Sequence, residues 1–390
     1  MRELQFSAMV NQFQPGIFTA LNDKKEEMIQ AGKRVFNLSV GTPDFAPAPH
    51  VMEALTEACK DPENYKYALA DLPELLEAVQ YRYAHRFGVE IQTDEIMSVY
   101  GYSGGNGAYR NGIVVIPGIP LLVPNPGYPL FEMSGIMAGA NVEYYEIREE
   151  NGYLPDLKNI PGEVLERTKY MVVSYPLNPV CVCAPDHFYE ELIAFAKEHH
   201  IVIIHDNAYS DIIFTREQGR SFLSFDGAKE VGVEFYSLSK SYNLTGARIS
   251  FVVGNKAIVE KFKTLRSEID YGIFLPIQKA AIAALTGPDD FIEKQRQEYA
   301  KRNCALCGGL RRIGWNVPDS QGTMFVWAKI PKGYASSFDF CMQLVEKTGL
   351  LVTPGSAFGS AGEGYIRMAL VVDLPVIGEI LEVLEKSGMF

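Results

Sequence analysis

Polar residues of unusual types follow three apolar segments in the middle of the chain. Asn178 comes after the run MVVSY, and Asp206 and Tyr209 come after IVIIH. Lys240 follows EFYSL within the stretch SKSYNLTGAR. Each feature is ordinary alone, since Asn-Pro often marks a turn and an aspartate after a strand often caps a helix. If the three segments are parallel strands, their carboxyl ends meet at one sheet edge, where open α/β sheets bind ligands. The spacing therefore predicts one polar crevice.

The chemistry of these groups points to a particular ligand. Lys240 lies among small hydroxyl residues beside an apolar strand, and partial desolvation lowers the pKa of a lysine and allows it to form a Schiff base. Asp206 can pair with a pyridinium nitrogen, and Asn178 can donate to a phenolate oxygen. A cup of hydroxyls and a guanidinium suited to a phosphate is formed by Ser237, Ser239 and Arg248. Together these groups match the aldehyde, ring nitrogen, phenol and phosphate of pyridoxal phosphate.

The elements that position these residues alternate between strands and helices. Strands are predicted at 169–175, 201–206, 233–239 and 249–254, and a helix at 186–200. This order predicts an α/β fold with a mostly parallel sheet covered by helices. Strands at 323–330 and 364–371 belong to a smaller α+β unit. We expect a large α/β domain at 48–275, and a small domain that combines 276–390 with the N-terminal segment 1–47.

The stretch SLSKSYNLTGARISFVVGN (237–255) resembles the lysine motif of class I/II pyridoxal-phosphate-dependent aminotransferases, which have fold type I. The wording is closest to the bacterial LL-diaminopimelate aminotransferase-like branch, a label that does not fix the substrate. The resemblance implies that Gly41 in LSVGTPDF lies beside the substrate carboxylate and that Tyr128 in NPGYP stacks on the cofactor ring. It implies that Arg367 in GYIRMAL clamps the α-carboxylate with a bidentate contact.

The resemblance also implies a homodimer and a reaction. In YKYALADLPELLEAV, Tyr67 would reach the phosphate of the neighbouring subunit, with Tyr65 as the other candidate. The expected reaction moves an amino group from an L-amino acid to a 2-keto acid by ping-pong exchange through a Schiff base. Lys240 would move the proton, Asp206 would hold the ring nitrogen, and Tyr209 would tune the phenolic oxygen together with Asn178, which also lies beside the substrate. A C–S β-lyase that shares this site is the alternative.

The stretch GYSGGNGAYRNGIVVIPGIP (101–120) departs from the family pattern. Relatives place a helix N-terminus here whose amides hold the phosphate, and Ser103 and Gly104 are the expected cofactor-binding residues. Glycine, asparagine and β-branched residues make the written segment a poor helix. Back-translation with a shifted frame permits the family's wording QEGMAHIGMAL and CDPGD, which favours a compensated frameshift in 102–120. The other hypothesis is a genuine divergent loop, which would admit a non-catalytic relative. Resequencing the gene decides between them.

The composition excludes several other classes. The chain has 390 residues, of which 47% are hydrophobic and 22% charged, with a formal net charge of −12. An acidic chain argues against nucleic acid or an anionic membrane as a partner, and no apolar run approaches the roughly 20 residues of a membrane helix. MRELQFSAMV lacks a signal-peptide core, so a cytoplasmic location is expected. Cys304 and Cys307 fit one helix face rather than a metal site.

Overall fold

The computed structural model describes residues 17–100, 117–215, 219–269 and 271–390. The predicted cofactor-binding residues Ser103 and Gly104, and most of the segment 102–120, lie outside the described residues. Within the described ranges, no helix is long and apolar enough to cross a membrane. No cluster of three or more His, Cys, Asp or Glu residues that could hold a metal ion occurs in the same ranges.

The strands of the described residues are β1 (Phe36–Asn37), β2 (Ile96–Val99), β3 (Pro120–Asn125), β4 (Asn141–Glu146), β5 (Tyr170–Ser174), β6 (Val202–Asn207), β7 (Gly232–Ser237), β8 (Ser250–Gly254), β9 (Phe325–Lys329), β10 (Leu350–Leu351), β11 (Thr353–Pro354) and β12 (Tyr365–Ala369). The helices are α1 (Ile17–Gln30), α2 (Pro49–Lys60), α3 (Pro73–Phe87), α4 (Pro129–Met137), α5 (Gly162–Arg167), α6 (Asp186–His199), α7 (Ala228–Val231), α8 (Leu238–Ser241), α9 (Lys256–Ile269), α10 (Leu275–Thr286), α11 (Asp290–Arg312), α12 (Ser337–Thr348) and α13 (Leu374–Ser387).

Within the described residues, the larger sheet has seven strands in the order β2-β8-β7-β6-β5-β3-β4. All neighbours are parallel except β8, which is antiparallel to both β2 and β7. This arrangement confirms the predicted α/β class and the mostly parallel sheet. The direction of β8 was not predicted, because a fully buried strand has the same apolar sequence pattern whether it runs parallel or antiparallel to its neighbours. The carboxyl ends of β5, β6 and β7 meet at one edge, and the start of β8 lies there too because Ser250 pairs with Ser237.

Strands β5, β7 and β8 are buried along their whole length, and β6 is buried except at Val202, which is typical of a parallel sheet covered on both faces. Successive residues enter two apolar cores, as the alternation of side chains requires. Val172 and Phe235 pack with Phe262 of α9 in one core. Val173 and Tyr236 belong to the other and larger core, which includes residues of α3 and α6.

The C-terminal part forms the smaller α+β unit that the sequence predicts. Strands β11, β12 and β9 make an antiparallel sheet, and β1 pairs with β10 as a short parallel pair. The N-terminal segment therefore contacts the C-terminal unit. Helix α10 begins at residue 275, at the predicted boundary with the small domain, but packs against α2 and α3. The proposed domain boundaries, 48–275 for one unit and 1–47 with 276–390 for the other, stay a prediction.

Candidate active site

A cavity of about 280 Å³ opens at the carboxyl edge of the larger sheet. Ten of the residues predicted from the sequence line it: Gly41, Tyr128, Asn178, Asp206, Tyr209, Ser237, Ser239, Lys240, Arg248 and Arg367. They come from strand ends far apart in the chain, and the parallel order of β5, β6 and β7 brings them together. The cavity therefore lies at the place that the sheet-edge rule predicts.

Local structure places Lys240 directly beyond the end of β7. Ser237 is the last residue of the strand and the N-cap of α8, where its hydroxyl accepts a hydrogen bond from the Ser239 amide at 3.2 Å. A serine at this position satisfies an amide that the helix leaves unpaired. The single turn of α8 then turns the side chain of Lys240 into the cavity.

Among the described residues, one hydrogen bond holds the amine of Lys240, and two guanidinium groups lie nearby. Its Nζ donates to the carbonyl oxygen of Gly41 at 2.6 Å. Burial lowers the pKa of this amine to about 8, and the nearby guanidinium groups of Arg367 and Arg248 act in the same direction, whereas Asp206 opposes them. A substantial fraction of the amine is consequently neutral near physiological pH, which a nucleophilic lysine needs.

Asp206 is buried with one oxygen unsatisfied. The side chain is 7% exposed, and its Oδ1 has no hydrogen-bond partner among the described residues. Burial and the neighbouring Glu234 carboxylate raise the pKa of Asp206 to about 7. A buried carboxylate without a partner is costly, so a cationic N–H donor placed in the cavity would stabilise its ionised form.

Arg367 lines the same cavity, and its guanidinium lies against two phenyl rings. Its guanidinium carbon is 4.1 Å from the ring centroid of Phe325 and 4.6 Å from that of Phe358. Nη1 donates to Asn178 Oδ1 and Nη2 to the Ser39 carbonyl, both at 2.9 Å. The Nε atom has no partner among the described residues, and burial lowers the pKa of the guanidinium to about 10. The group stays a cation at neutral pH and is oriented for a carboxylate.

The predicted phosphate cup is present in part. Ser239 has a buried hydroxyl without a partner in the described ranges, and Ser237 accepts a hydrogen bond from the Ser250 hydroxyl at 2.9 Å. Arg248 adopts a left-handed backbone conformation with φ 54° and donates to the Thr245 carbonyl at 2.7 Å. These groups meet at the start of β8, beside the end of β7. The amides expected from Ser103 and Gly104 lie outside the described residues.

The four tyrosines of the prediction differ in position. Tyr209 and Tyr128 line the cavity, and burial raises the pKa of each phenol, so both are neutral hydrogen-bonding groups. Tyr67 is 82% exposed and Tyr65 62% exposed, and neither lies on the cavity wall formed by the described residues of this chain. An exposed ring is reachable by a second chain, so the role of Tyr67 stays a prediction and Tyr65 stays the alternative.

Comparison with known proteins identifies the family. A model of the family described as aminotransferase class I and II matches residues 33–384. The chain belongs to the class I and II aminotransferases. An LL-diaminopimelate aminotransferase of Halothermothrix orenii is 40% identical over 377 residues, which cover 96% of each chain.

Solved structures of other proteins are also similar to this aminotransferase. The substrate-bound BacF structure from Bacillus subtilis has 35% sequence identity and a TM-score of 0.94, with 98% of each chain covered. A single mutant of Thermus thermophilus aspartate aminotransferase has 26% identity and a TM-score of 0.91, covering 99% of this chain and 100% of that one. The resemblance deduced from the lysine motif is therefore confirmed for the family, the fold and the aminotransferase activity.

Enzymes of this aminotransferase family use pyridoxal phosphate, and the cavity fits that group. The unpartnered Asp206 Oδ1 suits a ring nitrogen, the unpartnered Ser239 hydroxyl suits a phosphate oxygen, and the amine of Lys240 lies in the same cavity. The Asp206 and Ser239 atoms are buried in one cavity without a partner among the described residues, whereas buried polar atoms in native proteins are usually paired. Their donor and acceptor types agree with those that the cofactor requires.

Several cavity residues of this aminotransferase escaped the sequence prediction. The additional residues are Ser39, Val40, Thr42, Phe131, Ser174, Ala208, Thr245 and Phe325. Ser39 acts through its carbonyl, which leaves no signal in the residue type. Phe325 packs so closely on Gly41 that a Cβ there would lie 2.2 Å from its ring, which explains the glycine. Only the position of Ser39 and Thr42 within the motif around Gly41 offered a signal that could have found them.

Proposed function

We propose that this aminotransferase binds pyridoxal phosphate in the cavity beside Lys240 and exchanges amino groups there between an L-amino acid and a 2-keto acid. The observation that carries the proposal is the unsatisfied Oδ1 of buried Asp206 in the same cavity as a lysine whose pKa is lowered to about 8. A structural aspartate would be expected to pair both oxygens with protein groups, and a structural lysine would be expected to keep its ordinary pKa. Here each has the environment that a cofactor would complete.

The proposed roles follow from the position of each group. When bound, pyridoxal phosphate supplies an aldehyde that condenses with amines and a ring that accepts the electron pair released at the substrate Cα. Asp206 holds a proton at the ring nitrogen. Asn178 and Tyr209 hydrogen-bond the phenolic oxygen, and Tyr128 covers the ring. Ser237, Ser239 and Arg248 bind the phosphate.

Lys240 serves as the general base and acid of the reaction. Its amine takes the proton from the substrate Cα and returns it to the neighbouring carbon of the bound group, and a pKa near operating pH suits both directions. Gly41 provides the carbonyl that holds Nζ when the lysine is not engaged. The second keto acid runs the same steps in reverse, which gives ping-pong kinetics.

Arg367 orients the substrate. The two phenyl rings and the contacts to Asn178 and Ser39 fix the guanidinium, so that a carboxylate binds it in one orientation. A fixed α-carboxylate determines which Cα bond faces Lys240. We further propose a homodimer, in which the exposed Tyr67 reaches the partner's phosphate. The cytoplasmic location stays a prediction from the sequence.

The test is a panel of amino donors with the purified protein, pyridoxal phosphate and 2-oxoglutarate. We expect visible absorbance on addition of the cofactor and formation of glutamate with at least one L-amino acid. LL-diaminopimelate is the first donor to include, because the relative with 40% identity carries that name. Release of pyruvate from cystathionine without amino transfer would favour the C–S lyase. A protein that binds no cofactor would refute the proposal.

A further inference from the structure

The backbone of Lys240 is held by a side chain from a distant helix. Gln295 of α11 donates from Nε2 to the carbonyl oxygen of Lys240 at 2.9 Å, and its side chain is buried with 4% exposure. The acceptor is the main chain of the residue that carries the reactive amine. Since α8 is a single turn, this carbonyl has little support from regular helix bonding.

A second amide fixes the orientation of the first. Asn243 donates from Nδ2 to Gln295 Oε1 at 2.7 Å and to the Ala46 carbonyl at 3.2 Å. Because Oε1 receives this bond, the amino group of Gln295 must face Lys240. Asn243 has a left-handed backbone with φ 58°, a conformation that asparagine tolerates better than most residues.

These contacts close a loop around the lysine. Gly41, which accepts the bond from Lys240 Nζ, and Ala46 belong to the same N-terminal segment. Arg302, further along α11, donates to Asp44 Oδ1 at 2.8 Å and to the Leu370 carbonyl at 2.9 Å. Both the backbone and the amine of Lys240 are thus held by one unit of the structure, which consists of α11 and the segment 41–46.

We propose that Gln295 is a positioning residue for Lys240, with Asn243 as the group that orients it. The Gln295 amide holds the one-turn helix at the angle that directs Nζ toward the reacting carbon. Without it the Lys240 carbonyl is left buried and unpaired, and the turn relaxes toward another hydrogen-bond donor. A displacement of about 1 Å at a reacting group reduces the rate by about a hundredfold, so even a partial shift is measurable.

The chain offers a matched control on the same helix. Gln297 is exposed and donates only to Glu293 among the described residues. We expect Gln295→Met, which keeps length and volume but removes the donor, to lower kcat at least tenfold while the KM of the amino donor stays within twofold. The rate at which cofactor-free protein develops visible absorbance with pyridoxal phosphate should fall in parallel. Gln297→Met should match the wild type in both measurements, and thermal melting verifies that each variant is folded.

A second variant guards against a purely structural effect. Asn243→Asp keeps the backbone preference and the shape but cannot donate to Gln295, so we expect the same split between kcat and KM. The inference is overturned if Gln295→Met retains kcat and the absorbance rate within twofold of the wild type. It is also overturned if KM rises as much as kcat falls.

The inference rests on the proposed function, and one measurement separates the two. Reductive methylation of Lys240 in cofactor-free protein, quantified by mass spectrometry near pH 7.5, reports the state of the amine without any transamination. Gln295→Met should slow it at least threefold, because a displaced amine leaves the buried site and is protonated to a greater extent. An unchanged methylation rate counts against the positioning role. Loss of transamination in the wild type alone counts against the proposed function.

Discussion

Two buried aspartates five residues apart lie in opposite environments. Asp206 faces the cavity with an unpartnered oxygen, and its pKa is raised to about 7. Asp211 is fully paired: its Oδ1 accepts from Arg82 at 3.2 Å and Arg86 at 2.9 Å, and its Oδ2 accepts from the Tyr236 hydroxyl at 3.0 Å. Burial alone would raise the pKa of Asp211, but the two guanidinium groups and hydrogen bonds hold it below the ordinary value.

The difference distinguishes Asp211, which is paired within the protein, from Asp206, which we propose binds a ligand. The Asp211 network joins three parts of the fold: helix α3, strand β7 and the loop that follows β6. Its positive and negative charges compensate one another within the protein. Asp206 lacks such compensation on its free oxygen, as do the Ser239 hydroxyl and the Nε of Arg367 within the described residues. Unsatisfied polar atoms are costly, so a cluster of them around one cavity supports a ligand-binding site there. We expect substitutions on the two sides to affect different properties.

The largest effect is expected on the cavity side, at Lys240. Lys240→Ala should reduce transamination below detection, a loss greater than the roughly 10²–10⁴-fold contributed by proton transfer alone, because the nucleophile is removed as well. The melting temperature should change little, since the amine has only one protein partner in the described structure. Steady-state assays and thermal melting measure both quantities, with the exposed Lys261→Ala as the control. Turnover close to the wild type would exclude Lys240 from the reaction.

Substitutions in the Asp211 network should lower the stability of the protein rather than its catalytic activity. Asp211→Asn leaves Arg82 and Arg86 without their shared carboxylate, and breaking a buried pair from one partner costs about 3–5 kcal/mol. Chemical denaturation of the cofactor-free protein measures this loss. Asp290→Asn, which removes an exposed pair with Lys294, is the matched control and should have no measurable effect. If Asp211→Asn denatures like the wild type, the network does not stabilise the fold.

Arg367 should affect substrates and spare the cofactor. Arg367→Ala removes a buried cation whose Nε has no partner among the described residues. We expect kcat/KM for amino acids to fall by an amount that corresponds to about 2–5 kcal/mol of transition-state free energy. Arg367→Lys keeps the charge but loses the bidentate geometry, so it should recover only part of the activity. Cofactor titrations of all three proteins should agree. Equal kcat/KM in Arg367→Ala and the wild type would contradict the assigned role.

A further effect concerns the pH dependence of stability at Asp206. Its pKa is raised in the folded state, so the folded cofactor-free protein binds the proton more tightly than the unfolded chain does. Stability should therefore fall between about pH 4 and pH 7, by roughly 1.4 kcal/mol per pH unit, and level off above pH 7. Asp206→Asn should remove this decline and exceed the wild type in stability at pH 8.

Addition of pyridoxal phosphate should reverse that order, because only the carboxylate can pair with the ring nitrogen. Denaturation curves at several pH values, with and without the cofactor, provide the measurement. If the stability of the wild type changes between pH 4 and pH 7 in the same way as that of Asp206→Asn, a protein group compensates the charge of Asp206.

The sequence predicts groups whose type and strand position carry the chemistry. Lys240, Asp206 and Asn178 follow apolar runs, and the parallel sheet brings such positions to one edge. Contacts between residues that are distant in the chain and lie outside recognisable motifs produce no pattern in the sequence. The packing of Phe325 on Gly41 and the bond from Gln295 to Lys240 join parts of the chain that only the folded structure brings together. Ser103 and Gly104 remain predictions, because they lie outside the described residues.

The reversed direction of β8 has a consequence for the evolution of the site. Since β7 ends and β8 begins at the same edge, the chain leaves and re-enters the cavity between Ser237 and Ser250. The amine of Lys240 and the guanidinium of Arg248, which we propose bind the same cofactor, are therefore parts of one short hairpin connection. An insertion or deletion within it would displace Lys240 and Arg248 relative to each other, so such changes should be strongly selected against. This constraint gives a physical reason why the family is recognisable from this stretch.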